Sequence, residues 1–408
     1  MVALVPTFQD LKWGRDYMSR FDYLQHPTRD PGGNPVLVYK HPGSGVSGSH
    51  RFVWNNSPGA NAFATFVSQT KIASTDTHWD FCSIESAQCG WDATEGRSKV
   101  GFFPETVVDM QRAVVGVKQQ IALLGGDPNR IVAFGECHGA YQMLLALCFM
   151  APSATVSGGL LENRRIYSSR HWDSRVKGII NYAGNPMDLR RFPSSNSAPG
   201  FGGFTGAAWT NATKKITKAG AFAHYDFVAG DQCVITAGTN ATPGTYTVAS
   251  KIDSDNITLT TSVGATASNL SGYTSCEQYD PSQNLAYFGT NQGVNFNEWY
   301  ALPQTLKVAA SSLAYAQAGQ LSFYVPLLHI YENAGTNTVP YGNLFTTGSD
   351  GHDFKQATDL QAALGTRGIS TQRIIIDRIT NPWNSSAFAQ ANYSQPVYDF
   401  AVQCITSP

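Results

Sequence analysis

Residues 129–147 read NRIVAFGECHGAYQMLLAL. An apolar run, Ile131–Phe134, leads into Gly135-Glu136-Cys137-His138-Gly139 and then into a second apolar run, AYQMLLALCFM, residues 140–150. The pattern predicts a buried strand, a tight turn and a buried helix. Such a turn has a mechanical purpose. It lifts the side chain at its centre above the sheet, and the start of the following helix places backbone N–H groups and the positive end of a dipole beside it. Glycines on either side let strand and helix approach closely, and Gly135 and Gly139 hold the two outer positions. The centre is Cys137, whose thiolate would be a strong nucleophile.

Similar alternation continues on both sides. RFDYLQHP (20–27), NPVLVYKHPGSG (34–45), RVKGIINYAG (175–184), LSFYVPLLHIYEN (321–333) and TQRIIIDRI (371–379) are apolar enough for buried strands. ETVVDMQRAVVGVKQQIALLG (105–125) has helical apolar spacing and runs into Gly125 and Gly126, a good helix stop. FKQATDLQAALGTRG (354–368) separates the last two strands. Strand alternating with helix predicts an α/β protein with a mostly parallel central sheet covered on both faces. One region differs. From about Tyr225 to Thr274, Thr, Val and Ile alternate with polar residues between turns rich in Gly, Pro, Asp and Asn. That predicts a small antiparallel β-module of three or four strands, inserted within the α/β pattern. It is similar to small β-modules of phage tail and virion proteins.

Composition narrows the function. Of 408 residues, 42 % are hydrophobic, enough for a sizeable core. Only 14 % are charged, against roughly 25 % in an average domain. The surface is therefore rich in Ser, Thr, Asn and Gly, which leans toward extracellular or virion-associated proteins. Net charge is −1 with no basic block, which argues against a nucleic-acid partner, because phosphate binding needs clustered Lys and Arg. The N-terminal stretch lacks a charged region followed by an apolar one, so no signal peptide is expected. The longest apolar run, about nine residues, is far short of the ~20 a membrane helix needs, and no membrane partner is expected. Seven cysteines leave at least one outside any intrachain bridge. Cys82 with Cys89, and Cys233 with Cys276, are candidate disulfides that sequence leaves open. The absence of C-x-x-C, His-Glu-x-x-His and a phosphate loop predicts no metal and no cofactor.

The flanks of the Cys137 turn carry a resemblance. FPETVVDMQRAVVGVKQQIALLGGDPNRIVAFGECHGAYQMLLAL, residues 103–147, resembles carboxylesterases of the α/β-hydrolase superfamily, which carry Phe-Pro, a helix with Asp, Gly-Gly-Asp-Pro-x-Arg-Ile and Gly-Glu-Ser-Ala-Gly. Phe103, Pro104, Asp109, Gly125, Gly126, Asp127, Pro128, Arg130, Ile131, Gly135, Glu136 and Gly139 fit, with Cys137 at the serine position. Upstream, VLVYKHPGSG is similar to the family's strand and His-Gly-Gly-Gly oxyanion loop. His41, Gly43 and Gly45 are in register, and Pro42 and Ser44 depart. The similarity spans roughly the first 190 residues and more thinly the last 100. Cysteine at the nucleophile position resembles dienelactone hydrolases and polyhydroxyalkanoate synthases. The resemblance implies an α/β-hydrolase core in residues 1–189 and 301–408, with an inserted cap at 190–300 carrying the β-module. It also implies an oxyanion hole from the N–H groups of Gly43, Ser44 and His138.

The family's acid and histidine are harder to place. The acid follows the strand in VPLLHIYEN. Counting from His329 reaches Glu332 or Asn333, and counting back from Val339 and Pro340 reaches Thr336 or Asn337. Glu332 is the carboxylate among them, and Asp188, after the preceding strand, is the alternative. The histidine should follow the last strand, but RIIIDRITNPWNSSAF contains none. His352, in GSDGHDFKQATDLQ, becomes the expected base. His138 is assigned a backbone role, His329 a core position and His41 a role in shaping the oxyanion loop. The sequence thus predicts an ester hydrolase with a Cys137–His352–Glu332 triad, acting on a small-molecule or polymeric ester. A homo-oligomer is compatible with it. Acyl transfer or thioester cleavage would use the same acyl-enzyme. The competing expectation is an inactive hydrolase fold reused as a virion or adhesion component, and whether His352 reaches Cys137 separates the two.

Overall fold

The computed structural model of the chain describes residues 6–14, 19–42, 49–51, 54, 78–86, 88, 91–92, 97–98, 105–149, 174–182, 184, 202–223, 227, 229–275, 304–319, 325–333, 354–366, 371–377 and 395–406. Eight strands form the central sheet: β1 Phe8–Lys12, β2 Arg20–Leu24, β3 Asn34–Lys40, β4 Asp80–Ile84, β5 Gly126–Glu136, β6 Gly178–Tyr182, β7 Leu327–Asn333 and β8 Thr371–Asp377. Their order across the sheet is β1-β2-β4-β3-β5-β6-β7-β8. β2 is antiparallel to both of its neighbours, and every pairing from β4 through β8 is parallel. Every residue of β3, β4 and β6 is buried, as expected of parallel strands covered on both faces.

The alternation of side chains along each strand divides the core in two. Val36, Val38, Ile131 and Ala133 face one side, where helix α1, Glu105–Leu123, packs with Val107, Met110, Val114, Val117 and Ile121. This is an apolar stripe at helical spacing. Leu37, Tyr39, Val132, Phe134, Ile180, Leu328 and Ile330 face the other side. There the C-terminal helix, Gln395–Thr406, contributes Val397, Phe400, Ala401 and Cys404. Helix α1 stops where the sequence predicts, just before Gly125, whose φ of 85° suits glycine. No helix among the described residues is long and apolar enough to cross a membrane.

Between β6 and β7 the chain builds a second, separate unit. Strands Gly203–Thr210, Lys215–Thr217, Gln232–Ala237, Gly244–Lys251, Asn256–Leu259 and Ala267–Ser275 close into an antiparallel barrel. The module expected near 225–274 therefore starts at Gly203 and has six strands rather than three or four. Its first strand, GFTGAAWT, lacks the β-branched alternation that marks the others. Phe204, Ala207 and Trp209 nevertheless point inward. They pack among Ile216, Phe222, Cys233, Ile235, Val248, Ile257 and Leu270. Closing the barrel pairs what would otherwise be exposed strand edges. The expected domain limits at 189/190 and 300/301 lie outside the described residues.

Candidate active site

β3 and β5 are adjacent, yet the chain leaves them in opposite directions across the sheet: β4 lies beyond β3, and β6 beyond β5. The carboxyl ends of such a strand pair flank the crevice where α/β sheets bind ligands. Cys137 follows β5 directly, and His41 follows β3.

Cys137 has φ 53° and ψ −122°, outside every basin comfortable for a residue with a side chain. Such a conformation costs of order 1–3 kcal/mol and persists only where the surroundings enforce it. They do so here. The Cys137 N–H donates to the Tyr182 carbonyl at the end of β6, 2.9 Å away. The Cys137 carbonyl accepts from the N–H groups of Ala140 (3.1 Å) and Tyr141 (3.2 Å) as helix α2, His138–Leu144, begins. A Cβ on Gly135 would stand 2.4 Å from the Ala140 Cα, and one on Gly139 2.6 Å from the carbonyl oxygens of both Lys40 and His41. The turn therefore needs glycine at both positions for reasons of contact. Helix α2 continues into a π-helical turn, Leu145–Phe149, a feature frequent near functional sites.

Among the described cysteines, Cys137 alone is not buried. Burial pushes the Cys148 and Cys404 thiols up to about 12. It also raises those of Cys82 and Cys233. These groups stay protonated and unreactive at neutral pH. Cys82 and Cys233 are free thiols, so neither bridge considered from the sequence forms.

The His138 ring is buried and packs on Tyr141, with ring centroids 5.1 Å apart. Burial, then the charge of Lys40, lowers its pKa to about 3. The ring is therefore neutral inside the protein. Tyr39 OH donates to Glu136 Oε2 at 2.6 Å, fixing the carboxylate just before Cys137. His329 is buried in β7, its Nδ1 2.8 Å from Asn181 Nδ2, and the same Asn181 accepts from the Gly184 N–H through Oδ1 at 2.9 Å.

Glu332 lies near the end of β7. Glu136 and Ile330 both pair with Tyr182, so Cys137 and Glu332 follow the same level of the sheet on strands two apart, a lateral spacing of about 10 Å. The Glu332 side chain, and Gly43, Ser44, Asp188, Thr336, Asn337 and His352, lie outside the described residues. The structure thus brings Cys137, the His138 backbone and the Glu332 backbone to one edge.

Beside this edge stands a polar cluster that no sequence motif announces. Lys40, His41, Glu85 and Gln88 are all buried. Lys40 Nζ lies 2.8 Å from Glu85 Oε1 and 2.8 Å from His41 Nε2. Gln88 Nε2 donates to Glu85 Oε1 at 3.0 Å, and the His50 N–H donates to Glu85 Oε2 at 3.0 Å. Burial would raise the Glu85 pKa, but the adjacent Lys40 ammonium and the hydrogen bond from His50 outweigh it and hold the carboxyl well below its usual range. The available signal was a lysine and a glutamate at the ends of otherwise apolar runs.

Asp10, Asp22 and His50 are the described residues whose ligand atoms approach closely enough to hold a metal ion. Asp10 is already paired with Arg51 and lies 3.9 Å from Arg20. Asp22 Oδ1 accepts the Asp10 N–H at 2.8 Å. These carboxylates have their compensating charges and donors from the protein, and the group is an ion-pair network.

No protein-family model matches the chain, and no curated protein matches it. Solved structures do. A truncated carbohydrate esterase from gut microbiota aligns over 98 % of this chain and 96 % of its own, with a TM-score of 0.50 and 12 % identity. A C6-C4 SN3 inhibited esterase B from Lactobacillus rhamnosis aligns over 99 % of this chain and 89 % of its own, with a TM-score of 0.51 and 8 % identity. A bifunctional GH43-CE protein of Bacteroides eggerthii aligns over 98 % of this chain but only 35 % of its own length, with a TM-score of 0.51 and 13 % identity. At these identities the likeness is one of fold.

Proposed function

We propose that the chain is a carboxylic ester hydrolase of the α/β-hydrolase type, working through a Cys137 acyl-enzyme. The observation that carries this reading is the strained backbone of Cys137. It is held above the carboxyl edge of a parallel sheet by two glycines that tolerate no side chain. Strain of this kind, enforced from several directions at a half-exposed nucleophile, is what a strand-to-helix nucleophile turn requires. The shared fold with structures described as esterases supports the same class.

In this reading His352 removes the Cys137 proton and Glu332 orients its ring, with Asp188 the alternative acid. The sulfur adds to the ester carbonyl carbon. The oxyanion so formed accepts from the N–H groups of His138, Gly43 and Ser44. Collapse breaks the C–O bond and the imidazolium protonates the departing alcohol, leaving a thioester. Water, deprotonated by the same imidazole, then adds to the thioester carbon. The acid leaves and the thiol is restored. An acceptor other than water would make the same intermediate an acyl donor. A small-molecule or polymeric ester is the expected partner.

The test is intact-protein mass after brief exposure to p-nitrophenyl acetate, with Cys137→Ala in parallel. One acetyl group on the parent alone, with nitrophenol release, is the expected result. Equal labelling of the two proteins would remove Cys137 from the reaction.

A further inference from the structure

We propose that Lys40 and Glu85 are positioning residues that hold the His41 ring in the one protonation state able to clamp the backbone leaving β3 beside the Cys137 turn. This rests on the hydrolase reading above. His41 Nδ1 lies 2.6 Å from the Pro42 carbonyl oxygen, which can only accept, so Nδ1 carries a proton. His41 Nε2 lies 2.8 Å from Lys40 Nζ, which can only donate, and 2.7 Å from Glu85 Oε1, which can only accept. Burial disfavours a second proton on the ring, so Nε2 accepts from the lysine, and the ring is neutral with its proton on Nδ1.

Lys40 is what makes this state stable. His41 Nε2 and Glu85 Oε1 are 2.7 Å apart. With the ring neutral, both atoms present lone pairs, and the Lys40 ammonium stands 2.8 Å from each. Without it only the Gln88 amide, whose Nε2 is 3.0 Å from Glu85 Oε1 and 3.3 Å from His41 Nε2, would stand between the two acceptors, and the ring would turn away or take a second proton. Glu85 in turn balances the lysine charge. Its carboxylate is held by Gln88, by the Ser86 N–H at 3.2 Å and by the His50 N–H. The side chains of Lys40, His41 and Glu85 are 2–4 % exposed, so water takes no share in these contacts.

The clamp reaches the turn by contact. Gly139, two residues after Cys137, packs against the Lys40 and His41 carbonyls and the Lys40 Cγ, with no room for a Cβ. The same backbone continues through Pro42 toward Gly43 and Ser44, assigned above to the oxyanion. A buried ion pair is weak grounds for stability, because apolar replacements of similar size are often neutral or stabilising. Placement of backbone donors is a purpose that apolar replacements would not serve.

The experiment compares two rates at Cys137, each read on its own peptide by mass spectrometry. Iodoacetamide alkylates the sulfur without forming an oxyanion. p-Nitrophenyl acetate acylates it through one. In Lys40→Met/Glu85→Leu, alkylation is expected within about twofold of the parent and acetylation lower by about ten- to a hundredfold, toward the loss seen when an oxyanion donor is removed. Lys40→Met/Glu85→Gln places an amide donor opposite Nε2 and is expected to recover most of the acetylation. Unchanged acetylation in the first variant, a parallel fall in both rates, or equal losses in the two variants would each overturn the proposal. A parent that is alkylated but never acetylated would sink the hydrolase reading, and the clamp with it.

Discussion

Strands β3 and β4 lie side by side and carry a buried carboxylate at each end of the pair. At the amino end Asp80, the first residue of β4, accepts from Tyr23 OH (2.5 Å), Arg29 Nη1 (2.5 Å), the His26 N–H (2.8 Å) and Asn34 Nδ2 (3.1 Å). At the carboxyl end Glu85, one residue past β4, is surrounded in the same way by Lys40, Gln88, Ser86 and His50. The chemistry of the two knots is alike, and the difference lies in what they touch. The Asp80 knot ties β2 and the turn before β3: Asn34 also donates to the Thr28 carbonyl and accepts the Asp30 N–H. The Glu85 knot abuts the strained turn. In a parallel sheet the carboxyl edge holds the ligand and the amino edge holds the fold. A buried charge cluster therefore gains its meaning from the edge it occupies. Changes at the carboxyl edge should lower rates with little loss of stability, and changes at the amino edge should do the reverse.

The largest effect is expected at the turn itself. Gly139→Ala drives a methyl into two backbone carbonyl oxygens, of Lys40 at the end of β3 and of His41 just past it, which cannot swing aside as a side chain would. Acetylation of Cys137 should fall by about two orders of magnitude or more, as when transition-state donors are misplaced. Near-native acetylation in a folded Gly139→Ala protein would show that the β3 end does not govern the turn.

At the opposite end, Asp80→Ala leaves Arg29, Tyr23 and Asn34 without their shared acceptor. Breaking a buried pair from one side costs about 3–5 kcal/mol, to be read as a lower urea midpoint. The kcat of the molecules that remain folded should stay within about twofold. A fall in kcat larger than the fall in stability would erase the distinction between the edges. Tyr23→Phe removes a single donor and should cost about 1–3 kcal/mol, measured in the same way.

The two edges were not equally legible in the sequence. The Cys137 turn was, because its information is local: an apolar run, two glycines at fixed spacing, then a helical run. β3, β5, β6, β7 and β8 were legible for the same reason. The Lys40–Glu85 pair was not. It joins residues 45 apart in sequence, and they meet only because parallel register sets Lys40 against Ile84. From the chain alone, each is an ordinary charge at the end of a strand. Strand β1, FQDLK, and the first barrel strand, GFTGAAWT, were missed because neither has a β-branched alternating pattern. The general base was hard to find for a different reason: the segment after β8 carries no histidine, so the family pattern offered no position to read.

The smallest effect concerns pH, and it separates the edges by the end of the scale at which each fails. In the folded protein, burial and then the Lys40 charge hold the His138 ring down to about 3. An unfolded chain binds that proton near 6.5. Between those values the unfolded state takes up a proton that the folded state refuses. The contribution of His138 is therefore complete above about pH 6.5 and declines as pH falls, by at most about 1.4 kcal/mol per unit. At the amino edge the sign reverses. Burial and then the Asp80 carboxylate raise the Tyr23 pKa above its ordinary range. The unfolded chain loses the phenol proton above about pH 10 while the folded chain retains it, so stability falls on the alkaline side. Urea midpoints across pH should show the acid limb flattened by one proton in His138→Gln and the alkaline limb flattened by one proton in Tyr23→Phe. An acid limb unchanged in His138→Gln would mean that the ring gains a proton in the fold as readily as outside it. The neutral, buried role given to that side chain beside Cys137 would then fail.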